Sequence, residues 1–276
     1  MLPISPTLAQ HFGQLVASGR LGHGYILHGS AKGFPAEAGM YLALSALCAS
    51  SPPCQACATC RQVLAHDHPD IRVIATDSPS VDAIRQVVRD IQLGARDGHR
   101  LFVCIHHADQ MTPQAANAFL KTLEEPPRGV TLILATASLE QLLPTIRSRC
   151  TSIPCPAISD TTLREWIRNK TGADYAGLIS DAMVTYIDKT GQLPQNILPL
   201  DAIAQHTPSD ILALAETLAK DKSIAKLAIQ QWLEEAMLAA TQTHNLRQAN
   251  LLLRHIQSSH YNLNTRLQLE ALLFTL

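Results

Sequence analysis

Short apolar runs alternate with longer amphipathic segments over the first 155 residues of the chain. The runs have the length of buried strands and lie near residues 24–28, 71–75, 101–106 and 130–135. The segments between them follow a helical period, and in residues 81–93 one stripe holds Ile84, Val87, Val88 and Ile91. Strands that alternate with helices are typical of a parallel sheet. The pattern therefore predicts an α/β domain over residues 1–155.

After Pro154 and Pro156 the pattern becomes helical throughout. Residues 156–205 have the texture of short helices, and a second boundary falls at 206–208, where the sequence is His-Thr-Pro. Beyond it two helical faces are apolar: Ala225, Ile229, Trp232, Leu233, Ala236 and Met237 on one, and Leu263, Leu267, Ala271 and Phe274 on the other. We therefore expect a small helical domain over 156–205 and an all-α domain over 206–276.

The composition argues against a membrane protein and against a strong nucleic-acid footprint. Lysine and arginine total 22 against 23 acidic residues, and no basic block stands out. The first residues lack the basic and apolar regions of a secretory signal, and no apolar run reaches the about 18 residues that a membrane helix needs. We expect a cytoplasmic protein that shares any DNA contact with partners.

A strand, a glycine-containing turn and a helix follow each other from His23 to Cys48, which is the setting of a phosphate-binding P-loop, GxxxxGKS/T. Gly29 supplies the first glycine. The second glycine falls on Phe34, the phosphate-binding lysine on Pro35 and the magnesium-binding hydroxyl on Ala36. An ordinary turn that was never a P-loop explains these residues equally well.

Each of these departures removes a different contribution to nucleotide binding. Pro35 has no backbone N–H for a phosphate oxygen, Phe34 fills space that glycine leaves open, and Ala36 offers a metal ion no oxygen. Lys32 stands three positions too early to replace the missing lysine. We expect no productive ATP binding at this loop.

A second pair of positions points the same way. The predicted strand near 101–106 leads into His106 and His107, where a nucleotide hydrolase places an acidic pair for magnesium and water activation. Neighbouring residues on a strand face opposite sides of the sheet, so both histidines do not easily bind one metal. The simpler interpretation is one packed and one solvated histidine.

Four cysteines, Cys48, Cys54, Cys57 and Cys60, lie within 13 residues. Thiolates at such short spacings can surround one tetrahedral zinc ion in a closed, structural site. A redox pair, an iron–sulfur cluster, two disulfides or unrelated core cysteines are the alternatives. No lysine, arginine or aromatic residue lies between Cys48 and Cys60, which argues against DNA binding by this module.

The segment from Thr112 to Cys150 carries the most specific motifs. Thr112 and Pro113 begin a predicted helix that ends before two prolines in LKTLEEPP; the strand that follows ends in Ala-Thr at Thr136, and Ser148 to Cys150 spell SRC. Together these motifs resemble the AAA+ clamp-loader family, strongly over about 20–155 and weakly to about 200.

Within that family the chain is similar to members that keep the fold without ATPase activity. The resemblance implies an AAA+ parallel-sheet domain with an inserted zinc module at 48–60, a helical lid domain at 156–205 and a helical collar domain at 206–276. It also accounts for Pro35, Ala36, His106 and His107, and for Pro194 where the sensor-2 motif has a nucleotide-contacting arginine.

The resemblance further assigns roles to single residues. It makes Arg149 of SRC an arginine finger for a neighbouring ATPase site, with a structural salt bridge or a helix-end contact as the ordinary alternative. It also places Thr136 at the sensor-1 position. Lys121, Glu124 and Glu125 form a helix end whose two acids oppose the helix dipole, which suggests a subunit contact.

The function implied is that of a non-catalytic stator subunit that helps to load a sliding clamp onto primed DNA. Its implied partners are clamp-loader ATPase subunits and a delta-type subunit, with the sliding clamp and primer–template DNA reached through the complex. Two rival functions remain: an ATP-binding ATPase of the same fold, and a zinc-dependent adaptor outside replication.

Overall fold

The computed structural model divides the chain into two compact units, residues 1–159 and 160–276. It describes residues 3–92, 94–95, 100–175, 178–194, 197–198, 200–203, 205, 207–220, 222–243, 248, 250–252, 269–270 and 272–273.

A five-stranded parallel sheet forms the centre of the first unit, with the strand order β2-β3-β4-β1-β5. The strands are β1 (Gly24–His28), β2 (Ile71–Ile74), β3 (Leu101–Ile105), β4 (Val130–Thr136) and β5 (Thr151–Pro154). The four predicted strands are confirmed, although β2 and β3 each end one residue before the predicted end and β4 ends one residue after it. The edge strand β5 was not predicted, because Ile153 is its only buried residue and no apolar run marks it.

Helices cover both faces of the sheet, which explains why the inner strands are apolar on both sides. In the first unit they are α1 (Pro6–Ala17), α2 (Pro35–Leu47), α3 (Ala58–Leu64), α4 (Val81–Ile91), α5 (Pro113–Glu124) and α6 (Pro144–Arg147). One core lies under α1 and α2, around Phe12 and Leu42, and the other lies under α4 and α5, around Ile84 and Phe119.

Helix α5 begins and ends where its sequence predicts. The Thr112 hydroxyl oxygen accepts a hydrogen bond from the backbone N–H of Ala115 at 3.2 Å, and Pro113 takes the first helical position. The helix ends at Glu124, just before the two prolines of the motif. This end lies close to the arginine motif described below.

The second unit is helical in its described part, with α7 (Asp160–Thr171), α8 (Asp181–Thr190), α9 (Leu200–Ile203), α10 (Pro208–Ala219) and α11 (Lys222–Thr243). Trp232 of α11 is fully buried, and its indole N–H donates to the Leu198 carbonyl at 2.8 Å. Gln231 donates its side-chain N–H to the carbonyl of Leu178 at 2.9 Å. Separate lid and collar domains stay a prediction, as does their boundary near 206.

The apolar face predicted along α11 is largely confirmed, since Ala225, Ile229, Trp232 and Ala236 are buried. Met237 is an error in that prediction, because 51% of it is exposed. The second predicted face, at 263–274, holds Leu263, Leu267, Ala271 and Phe274, all of which lie outside the described residues. Within the described part of the chain, no helix is long and apolar enough to cross a membrane.

Candidate functional site

The carboxyl ends of β1, β3 and β4 lie at one edge of the sheet, because the three strands are parallel neighbours. His28 at the end of β1 pairs with Thr136 at the end of β4. In open parallel sheets, ligands bind at this edge, where the loops after the strands converge. The structure therefore places the loop after β1, His106, His107 and Thr136 at the edge of the sheet where ligands bind in this type of fold.

The loop after β1 has the predicted strand–turn–helix order, but the side chain of Phe34 is buried at its turn. A single 3₁₀ turn at Ala31–Gly33 leads into Phe34, which has a left-handed backbone (φ 47°, ψ 58°) and is 3% exposed. Pro35 is the first residue of α2. At the position where a P-loop has glycine, the chain holds a buried aromatic ring.

Backbone donors of this loop bond to carbonyls of the same chain. The N–H of residue 29 donates to the carbonyl of residue 136 at 3.2 Å, that of 33 to residue 30 at 2.9 Å, and that of 34 to residue 31 at 3.0 Å. Pro35 has no N–H to donate. A P-loop holds phosphate through such backbone donors, so these four positions do not contribute to a phosphate cradle.

The two glycines of the loop are required by packing against the chain that follows β5. A Cβ atom at Gly29 would lie 2.4 Å from the carbonyl oxygen of Cys155, and a Cβ at Gly33 would lie 2.2 Å from the same atom. The N–H of Ile158 also donates to the Lys32 carbonyl at 3.0 Å. Close packing against Cys155 therefore explains why residue 29 is a glycine, and no bound phosphate is needed for that explanation.

Glu37 is a further residue at this loop that sequence reasoning missed. It lies in the first turn of α2, close to the helix N-terminus where a P-loop protein holds its phosphates. A carboxylate there interacts favourably with the positive end of the helix dipole and repels an anionic ligand. Its position directly after Pro35 and Ala36 is the signal that could have found it.

His106 and His107 belong to no cluster of side chains that could hold a metal ion among the residues that the structure describes. His107 lies beyond the strand in a left-handed conformation (φ 48°), is exposed, and has its Nε2 3.9 Å from Asp77 Oδ1. The His106 ring is partly buried and lies edge-on to His66, with ring centroids 6.4 Å apart. The structure therefore has one partly buried and one exposed histidine, which is the simpler interpretation of the sequence.

Thr136 is buried and holds the end of β4 against the loop after β3. Its hydroxyl lies 2.9 Å from Asp109 Oδ1, to which it donates, and accepts the N–H of Ser138 at 3.1 Å. Both contacts are internal to the chain. The Thr136 hydroxyl therefore has a structural role in this chain.

The four clustered cysteines form the one group in the described residues that could hold a metal ion. Their sulfur atoms all lie within 4.8 Å of one another. Cys48 and Cys54 are 3.8 Å apart at sulfur, and Cys54 and Cys60 are 3.9 Å apart. A tetrahedral zinc ion with bonds of about 2.3 Å holds its sulfurs about 3.8 Å apart, so this donor set fits it. All four thiols are free, which excludes disulfides between them in this structure.

The pKa values of Cys54 and Cys60 are shifted in opposite directions. Backbone N–H groups of Ala56 and Cys57 lower the pKa of Cys54 to about 6, whereas burial raises the pKa of Cys60 to about 12. Metals bind thiolates, and a bound cation itself favours deprotonation. Cys54 is therefore the more readily ionised of the two, and Cys60 becomes a thiolate only when the metal is bound.

Helix α3 connects the cluster to the core of the first unit. The sulfur of Cys57 caps this helix by accepting the N–H of Cys60 at 3.4 Å. Cys60 and Val63 are fully buried in the core that also holds α1 and α2. A metal ion bound here would fix both the loop at 48–57 and the packing of α3.

Arg149 follows α6 and is anchored within its own chain. Its Nη1 donates to the Thr145 carbonyl at 2.8 Å and to the Ser148 hydroxyl at 3.2 Å, and its Nη2 lies 2.7 Å from Glu124 Oε1. The side chain is 34% exposed. The salt bridge considered as the ordinary alternative is thus present in the isolated chain, and it explains the acid at the end of α5.

Comparison with known proteins connects this geometry to a family. A family model described as DNA polymerase III, delta subunit, matches residues 4–159, more than half of the chain. The Bacillus subtilis DNA polymerase III subunit delta' is 26% identical over 238 residues, which cover 84% of this chain and 71% of the relative. The Escherichia coli subunit delta' is 37% identical over 155 residues, covering 52% of this chain and 46% of the relative, so the chain matches about half of that protein.

A solved structure shares the fold. The crystal structure of a DNA polymerase III, gamma subunit-related protein from Thermotoga maritima aligns with a TM-score of 0.57 at 19% identity, covering 97% of this chain and 98% of that one. The family match spans the sheet, the cysteine cluster and Arg149. The chain therefore belongs to the DNA polymerase III delta subunit family, with subunits named delta' among its relatives.

Proposed function

We propose that the chain is a non-catalytic clamp-loader subunit of the bacterial replicative DNA polymerase, a stator that donates Arg149 to the ATP site of a neighbouring subunit. One observation supports this most strongly: in the loop that would hold ATP, the backbone N–H groups of residues 29, 33 and 34 bond within the chain, whereas Arg149 of the SRC motif is partly exposed. Such a chain can assist ATP hydrolysis without performing it.

The proposed chemistry is electrostatic. A guanidinium placed against a transferring phosphoryl group stabilises the charge that develops on its oxygens, and its planar fork of donors matches their geometry. Arg149 presents such a group at the end of α6, at a partly exposed position. The bond-breaking step belongs to the neighbour, which supplies the nucleotide, the magnesium ion and the attacking water.

The other parts of the chain have supporting roles in this proposal. The four cysteines hold a structural zinc that stabilises the insertion at 48–60, the helices of 156–205 act as a lid, and those of 206–276 contribute to an oligomeric collar. The partners are the clamp-loader ATPase subunits and a delta-type subunit in the cytoplasm. The sliding clamp and primer–template DNA are reached through the assembly, in keeping with the net charge of −1.

ATP binding to the isolated chain tests its non-catalytic character. We expect no saturable binding below about 1 mM Mg-ATP, which corresponds to a binding free energy weaker than about −4 kcal/mol. The physical reason is the loss of phosphate donors at residues 29 and 33–35, together with the repulsion from Glu37. Isothermal titration calorimetry measures it, with an ATPase subunit of the same clamp loader as the positive control. Micromolar binding with turnover would instead favour an ATPase of the same fold.

A further inference from the structure

The contact between Glu124 and Arg149 joins two motifs that are 25 residues apart in sequence. Glu124 is the last residue of α5, and Arg149 lies two residues beyond the end of α6. The distance of 2.7 Å between Oε1 and Nη2 is that of a charge-assisted hydrogen bond. The carboxylate therefore fixes one end of the guanidinium, and the carbonyl of Thr145 fixes the other.

This anchoring leaves part of the guanidinium available. Within the described part of the chain, its contacts with Thr145, Ser148 and Glu124 use three N–H donors. A guanidinium has five, so two remain for a ligand. A guanidinium held at both terminal nitrogens, with N–H donors left over, is oriented before a ligand arrives, which reduces the ordering that binding requires.

The position of Glu124 is unfavourable for the helix that carries it. A carboxylate in the last turn opposes the negative end of the helix dipole. The ion pair offsets this, but both side chains are exposed to a third or more, at 34% and 50%, and ion pairs with this exposure contribute little to folding stability. A gain in stability is therefore a weak explanation for the contact, whereas orientation of Arg149 is a direct consequence of it.

We infer that Glu124 is a positioning residue for Arg149, which it orients toward the nucleotide of the neighbouring subunit. The inference rests on the proposed function of Arg149 as a donor in trans. Glu124 touches neither nucleotide nor reacting atoms in this scheme, and it acts only through the arginine. The negative charge of the carboxylate is secondary to its place as the acceptor for Nη2.

The test uses the reconstituted assembly with the variants Glu124→Ala, Glu124→Gln, Arg149→Ala and the double variant Glu124→Ala with Arg149→Ala. Asp82→Ala is the control, because it removes an acid whose side chain is 89% exposed from α4, away from the contact with Arg149. The measurement is ATP turnover at saturating ATP, clamp and primed DNA, with the other ATPase sites of the assembly inactivated. Native mass and thermal unfolding of each assembly show whether the subunit is folded and incorporated.

We expect Glu124→Ala to lower kcat about tenfold, since a small misplacement of a catalytic group has effects of this order or larger. Glu124→Gln keeps an acceptor and should retain most of the turnover, and Asp82→Ala should match the unmodified chain. The double variant should be no slower than Arg149→Ala alone. Turnover of Glu124→Ala equal to or above that of Asp82→Ala, with Arg149→Ala slow, would overturn the inference and leave the proposed function intact. Unchanged turnover in Arg149→Ala would overturn the proposed function, and the inference with it.

Discussion

Replacing Arg149 by alanine is expected to lower ATP turnover at the one neighbouring site that receives it by about 10³-fold or more, the effect of losing an arginine finger. The transition-state charge on the phosphoryl group would lose its positioned guanidinium. In an assembly with several ATP sites, the total rate of ATP hydrolysis would fall only to the rate that the other sites contribute. The measurement is therefore clamp- and DNA-stimulated hydrolysis with those other sites inactivated.

Two control variants separate this role from a general loss of charge. Arg128→Ala removes an exposed arginine from the loop after α5 and should leave turnover unchanged. Arg149→Lys keeps the positive charge without the planar fork and should recover only part of the rate. If Arg149→Ala assembles normally and hydrolyses ATP at the unmodified rate, Arg149 has only the structural contact with Glu124 that the isolated chain shows.

Loss of the metal is the second large effect that we expect. The purified chain should contain one zinc ion, because structural zinc binds with about 10–16 kcal/mol in comparable small peptide sites. Cys54→Ser removes one of the four thiolate ligands and should therefore abolish zinc retention. Amides of the segment 48–64 should then exchange with solvent much faster, since the metal would hold α3 through Cys57 and Cys60, whereas Val63 alone packs it into the core without taking part in the cluster. Metal analysis by mass spectrometry and hydrogen exchange measure the two outcomes.

The remaining cysteines provide the control for that experiment. Cys150→Ser removes a thiol outside the cluster and should leave the zinc content at one per chain. The fold of the sheet should survive Cys54→Ser, because Cys54 is exposed and lies outside the core. Iron with inorganic sulfide in the purified chain, or full zinc retention in Cys54→Ser, would contradict the proposed zinc site.

The sequence predicts the inner sheet well, because buried strands are apolar on both faces and are short. Strands β1, β3 and β4 were found for that reason, the edge strand β2 was found because three of its four residues are apolar, and α5 was found through its threonine cap and the prolines that follow it. Strand β5 was missed, because an edge strand with one buried side chain carries no apolar run. Met237 was wrongly placed in a core, because its helical period matches the buried face although half of it faces solvent.

Local spacing also decides which parts of the site could be predicted. The four cysteines lie within 13 residues, so the chain has little freedom to keep them apart, and the structure brings their sulfurs together. The contacts of Cys155 with the loop glycines and of Glu124 with Arg149 join positions that are distant in sequence. No periodicity or motif spacing encodes such pairs, since they depend on how β5 and α5 are placed in the folded chain.

The native mass of the purified chain, mixed with the ATPase subunits and the delta-type subunit of the clamp loader from the same organism, decides whether the chain is a clamp-loader subunit. We expect a defined hetero-oligomer that contains this chain and hydrolyses ATP only when the ATPase subunits are present. A chain that stays apart from these subunits, or that is recovered from cell extract only with proteins unrelated to replication, would contradict it.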